Sequence, residues 1–254
     1  SLYIDDLHLE SNAEAAELIA DEARFGYERG HRAFKIKVGR GARHMPLEAG
    51  TQRDIAVIKA VRDAVGADCP IMIDANNGYN LNLTKRVLEE TAECNLYWLE
   101  EPFHEDRILY EDLREWLTQH DLPILIADGE GQASPTLLDW ARDGLIDVVQ
   151  YDVFGSGFTF WLDLAPQLDS WNVKSAPHHY GCHLGNFYSG HLAAGIENFT
   201  MIEWDDVTTA GIDTSAYTIE NGKVAIPDLP GFGITLDDGI FTSAVDENGF
   251  RLTR

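Results

Sequence analysis

Residues 34–41 read FKIKVGRG, which puts two of the chain's six lysines, Lys35 and Lys37, into an otherwise apolar strand closed by glycine. Residues i and i+2 of a strand share a face. Both ammoniums therefore point the same way, and on a buried strand that face must supply groups that make two positive charges tolerable. Lysines snorkelling from an edge strand would need no such groups, so the rest of the chain decides between the two readings.

Similar short apolar runs recur at 2–4 (LYI), 70–75 (PIMIDA), 96–102 (LYWLEEP), 123–130 (PILIADGE), 147–153 (DVVQYDV), 173–178 (VKSAPH) and 199–205 (FTMIEWD). Between them lie helical patterns, including 13–30 and 53–65, whose apolar residues return every three or four positions. Strands alternating with helices imply a parallel sheet with right-handed crossovers. Eight such strands in 254 residues predict an α/β fold, a TIM-type (β/α)7β barrel over residues 1–235 followed by a tail at 236–254.

Seven successive strands end on or near an ionisable residue: Lys37, Asp74, Glu100, Glu130, Asp152, His178 and Glu203. From Asp74 onward the gaps are 26, 30, 22, 26 and 25 residues, about one strand-helix repeat each. In a parallel barrel these ends meet on one rim, the face that carries barrel active sites. Asp74, Glu100 and Glu130 come from adjacent strands, and their carboxylates would repel one another in a partly desolvated site unless a divalent cation joined them. Oxygen-only ligation suits Mg²⁺.

Lys35 and Lys37 then face that ring, and each is expected to lower the other's pKa, making one a base near neutral pH. Across the ring, Asp152 beside His178 would fix the imidazole tautomer. In SAPHHYGCH, His179 and His183 compete with His178 for this role, and His178 is preferred because it falls in the ring. His104 lies just beyond Glu100 within reach of a substrate, Glu101 reads as support for the metal shell or a lysine, and Trp116, Trp140, Trp161 and Trp171 read as helix-to-barrel packing.

Composition narrows the function classes. The net charge is −24, with 19 basic against 43 acidic residues, which excludes nucleic acid as a partner and suggests a solvated acidic surface or a salt-rich cytoplasm. No apolar run approaches the roughly 20 residues of a membrane span, and no signal-peptide pattern opens the chain, so a cytoplasmic location is expected. Cys69, Cys94 and Cys182, odd in number and without metal-site spacing, read as reduced thiols.

Taken in order, Lys35-Ile36-Lys37, Ile73-Asp74-Ala75-Asn76, Trp98-Leu99-Glu100-Glu101-Pro102, Gly129-Glu130, Gln150-Tyr151-Asp152, Ala176-Pro177-His178 and Glu203 cover nearly the whole chain. The set resembles the catalytic barrel of the enolase superfamily, in its mandelate racemase branch. The resemblance implies abstraction of the proton α to a carboxylate, with the enediolate stabilised by one Mg²⁺ per subunit. By position it makes Asp74, Glu100 and Glu130 the ligands, Lys37 a base, Lys35 its electrostatic helper and His178, oriented by Asp152, the group on the opposite face. It also makes Glu203 a hydrogen-bonding partner of the substrate carboxylate, as the neutral acid, and leaves Asn76, His104 and His179 as substrate-binding candidates.

The activity implied is dehydration of a sugar acid to a 2-keto-3-deoxy acid by a homo-oligomer, with a racemase or epimerase as the alternative. A non-catalytic barrel kept for binding or assembly would predict erosion of the ring, and no ring position is eroded. Members of that branch carry an N-terminal capping domain. It is expected to be absent from this chain, and the tail at 236–254 is expected to pack toward it.

Overall fold

The structure, a computed structural model, describes residues 1–249. Six parallel strands are hydrogen-bonded in chain order: β1 (Phe34–Lys37), β2 (Ile71–Asp74), β3 (Trp98–Glu100), β4 (Leu125–Asp128), β5 (Val148–Val149) and β6 (Lys174–Ser175). Helices α1 (Asn12–Glu28), α2 (Arg40–Arg43), α3 (Leu47–Val65), α4 (Leu81–Glu90), α5 (Arg107–Gln119), α6 (Leu137–Arg142), α7 (Val153–Ser170) and α8 (His183–Ala193) alternate with them. Capping side chains set several of the starts: Ser11 for α1, Asn80 for α4 and Asp106 for α5 each accept from backbone amides of the first turn.

Strand alternation divides two cores. Ile36, Ile73, Leu99, Ile126 and Val149 face outward and join Ile19, Ile58, Val87, Leu113 and Leu164 in the main hydrophobic core. Met72, Trp98, Ala127, Val148 and Ala176 form a smaller cluster of their own. The register pairs Lys37 with Asp74 and Asp74 with Glu100, so the charged ends of three strands lie at one level.

The predicted barrel topology is present, with a difference at its two outermost strands. Leu2 meets β1 through a single bridge to Ile36, and Phe199 meets β6 through a single bridge to Ser175. Each of these runs has a backbone partner on one side only, and no backbone hydrogen bond among the described residues joins 1–4 to 199–205. Side chains approach there instead, Tyr3 Oη donating to Asp205 Oδ1 at 3.4 Å beside a cavity of about 1540 Å³.

Beyond the barrel, β7 (Ile212–Asp213) pairs antiparallel with β10 (Thr235–Leu236), and β8 (Thr218–Glu220) with β9 (Lys223–Ala225). The tail predicted at 236–254 begins in β10 and continues as α9 (Asp238–Asn248), which has no buried residue; its last five positions, 250–254, lie outside the described residues. Among the described residues no helix is long and apolar enough to cross a membrane.

Candidate active site

Asp74 closes β2, Glu100 closes β3 and Glu130 lies two residues past β4. They bring one ligand oxygen each to within 4.8 Å of one another. Glu130 Oε2 is buried without a hydrogen-bond partner, and His178 Nε2 lies 3.1 Å away. Burial, and next the charge of Asp74, push the Glu100 carboxyl well above the ordinary range. Three oxygen donors, one of them orphaned and one resisting ionisation, fit a hard divalent cation such as Mg²⁺.

Lys35 and Lys37 both reach this ring, as the strand periodicity predicts. Lys35, only 4% exposed, holds Nζ 2.6 Å from Glu100 Oε1, 2.6 Å from Glu203 Oε1 and 3.4 Å from Asp74 Oδ2. Lys37 pairs with Asp74 Oδ2 and donates to Asn76 Oδ1 at 3.1 Å. The expected lowering of the lysine pKa values is corrected here. Burial is the largest influence on both and acts to lower them, but Glu100, Glu203 and Asp74 together outweigh it at Lys35, and Asp74 with Glu100 and Glu130 together outweigh burial and Lys35 at Lys37, so both are raised.

His178 stands on the other side. Its Nδ1 lies 2.6 Å from Asp152 Oδ1, while Asp152 Oδ2 accepts the amide of Gly131 at 2.7 Å, and a parallel bridge holds the two backbones side by side. The neighbour His179 is directed elsewhere: it is 2% exposed, its Nε2 is 2.9 Å from the Glu203 carbonyl, and a Cβ on Gly185 would come within 2.4 Å of its Nδ1. His179 is a packed residue and cannot turn to a ligand without moving α8. Its place among the substrate-binding candidates is corrected on that ground.

Glu203 joins the two halves, touching Lys35 and lying 3.4 Å from His178 Nε2. Burial alone would raise its pKa, but Lys35 and His178 override it and hold the carboxyl well below the ordinary range. The expectation of a neutral Glu203 is therefore corrected: in this arrangement it is ionised.

Asn76, from the β2–α4 loop, is more central than its candidacy implied. Its Nδ2 donates to Glu130 Oε1 at 2.9 Å and to Glu101 Oε2 at 3.0 Å, and its Oδ1 accepts from Lys37. Asn76 (φ 42°), Asn77 (φ 60°) and Glu101 (φ 40°) all adopt left-handed backbone. Burial, and then Glu130, push the Glu101 carboxyl up to about 8. His104 is exposed and lines a cavity of about 260 Å³ with Asn77, Glu101, Glu105 and Glu130.

Sequence reading missed Trp98, whose Nε1 donates to Glu100 Oε2 at 3.0 Å; the signal was present, since positions 98 and 100 share a strand face. It also missed Asp128, whose partner Tyr110 lies on α5 and could not be paired with it from spacing.

A family model described as "Enolase C-terminal domain-like" matches residues 18–240. Galacturonate dehydratase from a Geobacillus species, solved with D-galacturonate and 5-keto-4-deoxy-D-galacturonate, is 54% identical, with a TM-score of 0.95 over 98% of this chain and 67% of its own. A mutant of galacturonate dehydratase from Geobacillus, solved with Mg, is 53% identical, with a TM-score of 0.96 over 98% of this chain and 65% of its own. The arabinonate dehydratase of Saccharolobus solfataricus is 27% identical over 91% of this chain and 60% of its own length. The chain thus spans about 60% of the curated relative's length. The family match over most of the barrel agrees with the ring of strand-end charges, and the chain belongs to the enolase C-terminal domain-like family.

Proposed function

We propose that the chain carries the catalytic barrel of a Mg²⁺-dependent sugar-acid dehydratase whose substrate is a hexuronate of the galacturonate type. The observation that carries this reading is the convergence of the Asp74, Glu100 and Glu130 triad with Lys37 on one side and the His178–Asp152 pair on the other. High identity to galacturonate dehydratase supports the substrate class.

In such an acid the carbon next to the carboxylate carries an acidified proton, and the next carbon carries a hydroxyl. Lys37 takes the α-proton once the carboxylate charge that raises its pKa is offset by the bound cation, or His178 takes it, and His178, as imidazolium, gives a proton to the departing hydroxyl, so that water is lost. When bound, Mg²⁺ supplies positive charge that stabilises the substrate's enediolate. Asp74, Glu100 and Glu130 would hold it. Lys35 adds a fixed positive charge beside the same carboxylate. Glu203 stands beside Lys35 and His178, where a protonated carboxyl would donate a hydrogen bond to a substrate carboxylate. The product is a 5-keto-4-deoxy uronate counted from the aldehyde end, which is a 2-keto-3-deoxy acid counted from the carboxylate.

The exposed Leu236, Ile240 and Phe241 at and around α9 support packing of the described part of the tail, 236–249, against a capping domain. The test of function is incubation with D-galacturonate and Mg²⁺, following the keto product as its semicarbazone. Recovery of the α-epimer alone, with no keto acid, would replace the dehydratase reading with a racemase one.

A further inference from the structure

We propose that Arg40, Asp54 and Tyr79 form a positioning device for Lys37, acting on that base and not on His178; the inference rests on the reading of Lys37 as a base. Asp6, Arg40, Arg53 and Asp54 are charged side chains buried outside the ring and joined in one network. A buried ion network adds little stability over apolar packing of the same volume, so its geometry calls for an explanation of its own.

Arg40 is the hub. Its Nη2 is 2.5 Å from Asp6 Oδ1, and its Nη1 donates to Asp54 Oδ1 at 2.8 Å and to the carbonyl of Lys37 at 3.1 Å. The other oxygen of Asp54 accepts the amide of Gly39 at 2.9 Å, the amide of Arg40 at 3.3 Å and the hydroxyl of Tyr79 at 2.9 Å. One carboxylate thereby ties the loop after β1 to the loop after β2. The two loops also press together at glycines: a Cβ at 39 would lie 2.9 Å, and one at 78 would lie 2.7 Å, from the same oxygen of Ala75.

Lys37 ends β1 and its Nζ binds Asp74 and Asn76, which flank the start of the second loop. The relation between the two loops therefore sets where the Lys37 amine stands against the carboxylate triad. His178 is held by Asp152 across the ring and touches none of this network. A catalytic group displaced by a fraction of an ångström can lose about tenfold or more in rate. Loosening the network should cost the Lys37 face and spare the other.

The test compares Tyr79→Phe and Arg40→Lys with the parent protein, reading α-proton exchange in D₂O with D-galacturonate and with its α-epimer by NMR, together with Mg²⁺ affinity by calorimetry. Lys37→Ala and His178→Asn identify which exchange each base performs. In Tyr79→Phe and Arg40→Lys, exchange dependent on Lys37 should fall about tenfold, while exchange dependent on His178 and Mg²⁺ affinity stay within about twofold. Should Arg40→Lys fail to fold, Tyr79→Phe, which removes one hydroxyl, carries the test. Equal losses on both faces, or an undiminished Lys37 face in folded Tyr79→Phe, would overturn the inference alone. Full exchange on both faces in Lys37→Ala would remove the reading of Lys37 as a base, and the inference with it.

Discussion

Asp152 Oδ1 lies 2.6 Å from Nδ1 of His178, which leaves Nε2 of the same ring facing the carboxylates of Glu130 and Glu203. The pair thus fixes both the tautomer and the aim of this histidine.

His178→Asn should reduce dehydration by about 10²-fold or more with little change in melting temperature. His179→Asn should do the reverse, lowering the melting temperature because a tightly packed ring is lost against α8. Circular dichroism melts beside turnover separate the two, and substantial activity in His178→Asn would move the acid/base role elsewhere.

Glu130→Gln should weaken Mg²⁺ binding by about tenfold or more, because a neutral amide replaces a charged ligand. Calorimetry reads this directly. Saturating Mg²⁺ should raise the melting temperature of the parent protein and leave that of the variant nearly unmoved, since a ligand that binds only the folded state stabilises in proportion to its affinity.

Proton release provides a third check. Glu100 sits well above the ordinary range and Glu101 at about 8, so protons are retained near neutrality that a cation must displace. Mg²⁺ affinity should therefore fall as pH drops from about 8 to 6, with up to about one proton released per ion at pH 7. Titrations in buffers of different ionisation enthalpy count that proton, and a pH-independent affinity contradicts the assignment.

Burial pushes Asp128 up to about 7, against a lowering contribution from the hydroxyl of Tyr110. Its folded pKa lies above the unfolded one, so its stabilising effect is complete below about pH 4 and lost as pH rises toward 7. Asn at this position keeps an acceptor for Tyr110 without the charge. Asp128→Asn should gain stability relative to the parent between about pH 5 and 8, by at most about 4 kcal/mol. Paired denaturant melts of metal-free protein measure the difference.

The barrel and its ring were legible because both follow from period: strands alternate with helices, and each strand end returns after a similar interval. The outermost strands were overdrawn because a run such as LYI reads the same whether one neighbour or two are available to pair with it. Ionisation of Lys37 and Glu203 was misread for a different reason. Their charge states depend on which opposite charges lie closest, and Lys35 contacts Glu100 and Glu203 from positions 65 and 168 residues away. The clamp of Arg40, Asp54 and Tyr79 left no mark in the sequence, since its members lie on two helices and a loop with no shared spacing.

Glu101 shows where selection on this protein would divide. Its backbone at φ 40° strains a side chain with a Cβ by about 1 kcal/mol, and glycine would relieve that strain. The same change would remove the carboxylate that holds the amides of Asn76 and Asn77. A library ranked by a folding reporter should therefore enrich glycine at position 101, while the same library ranked by turnover should reject it.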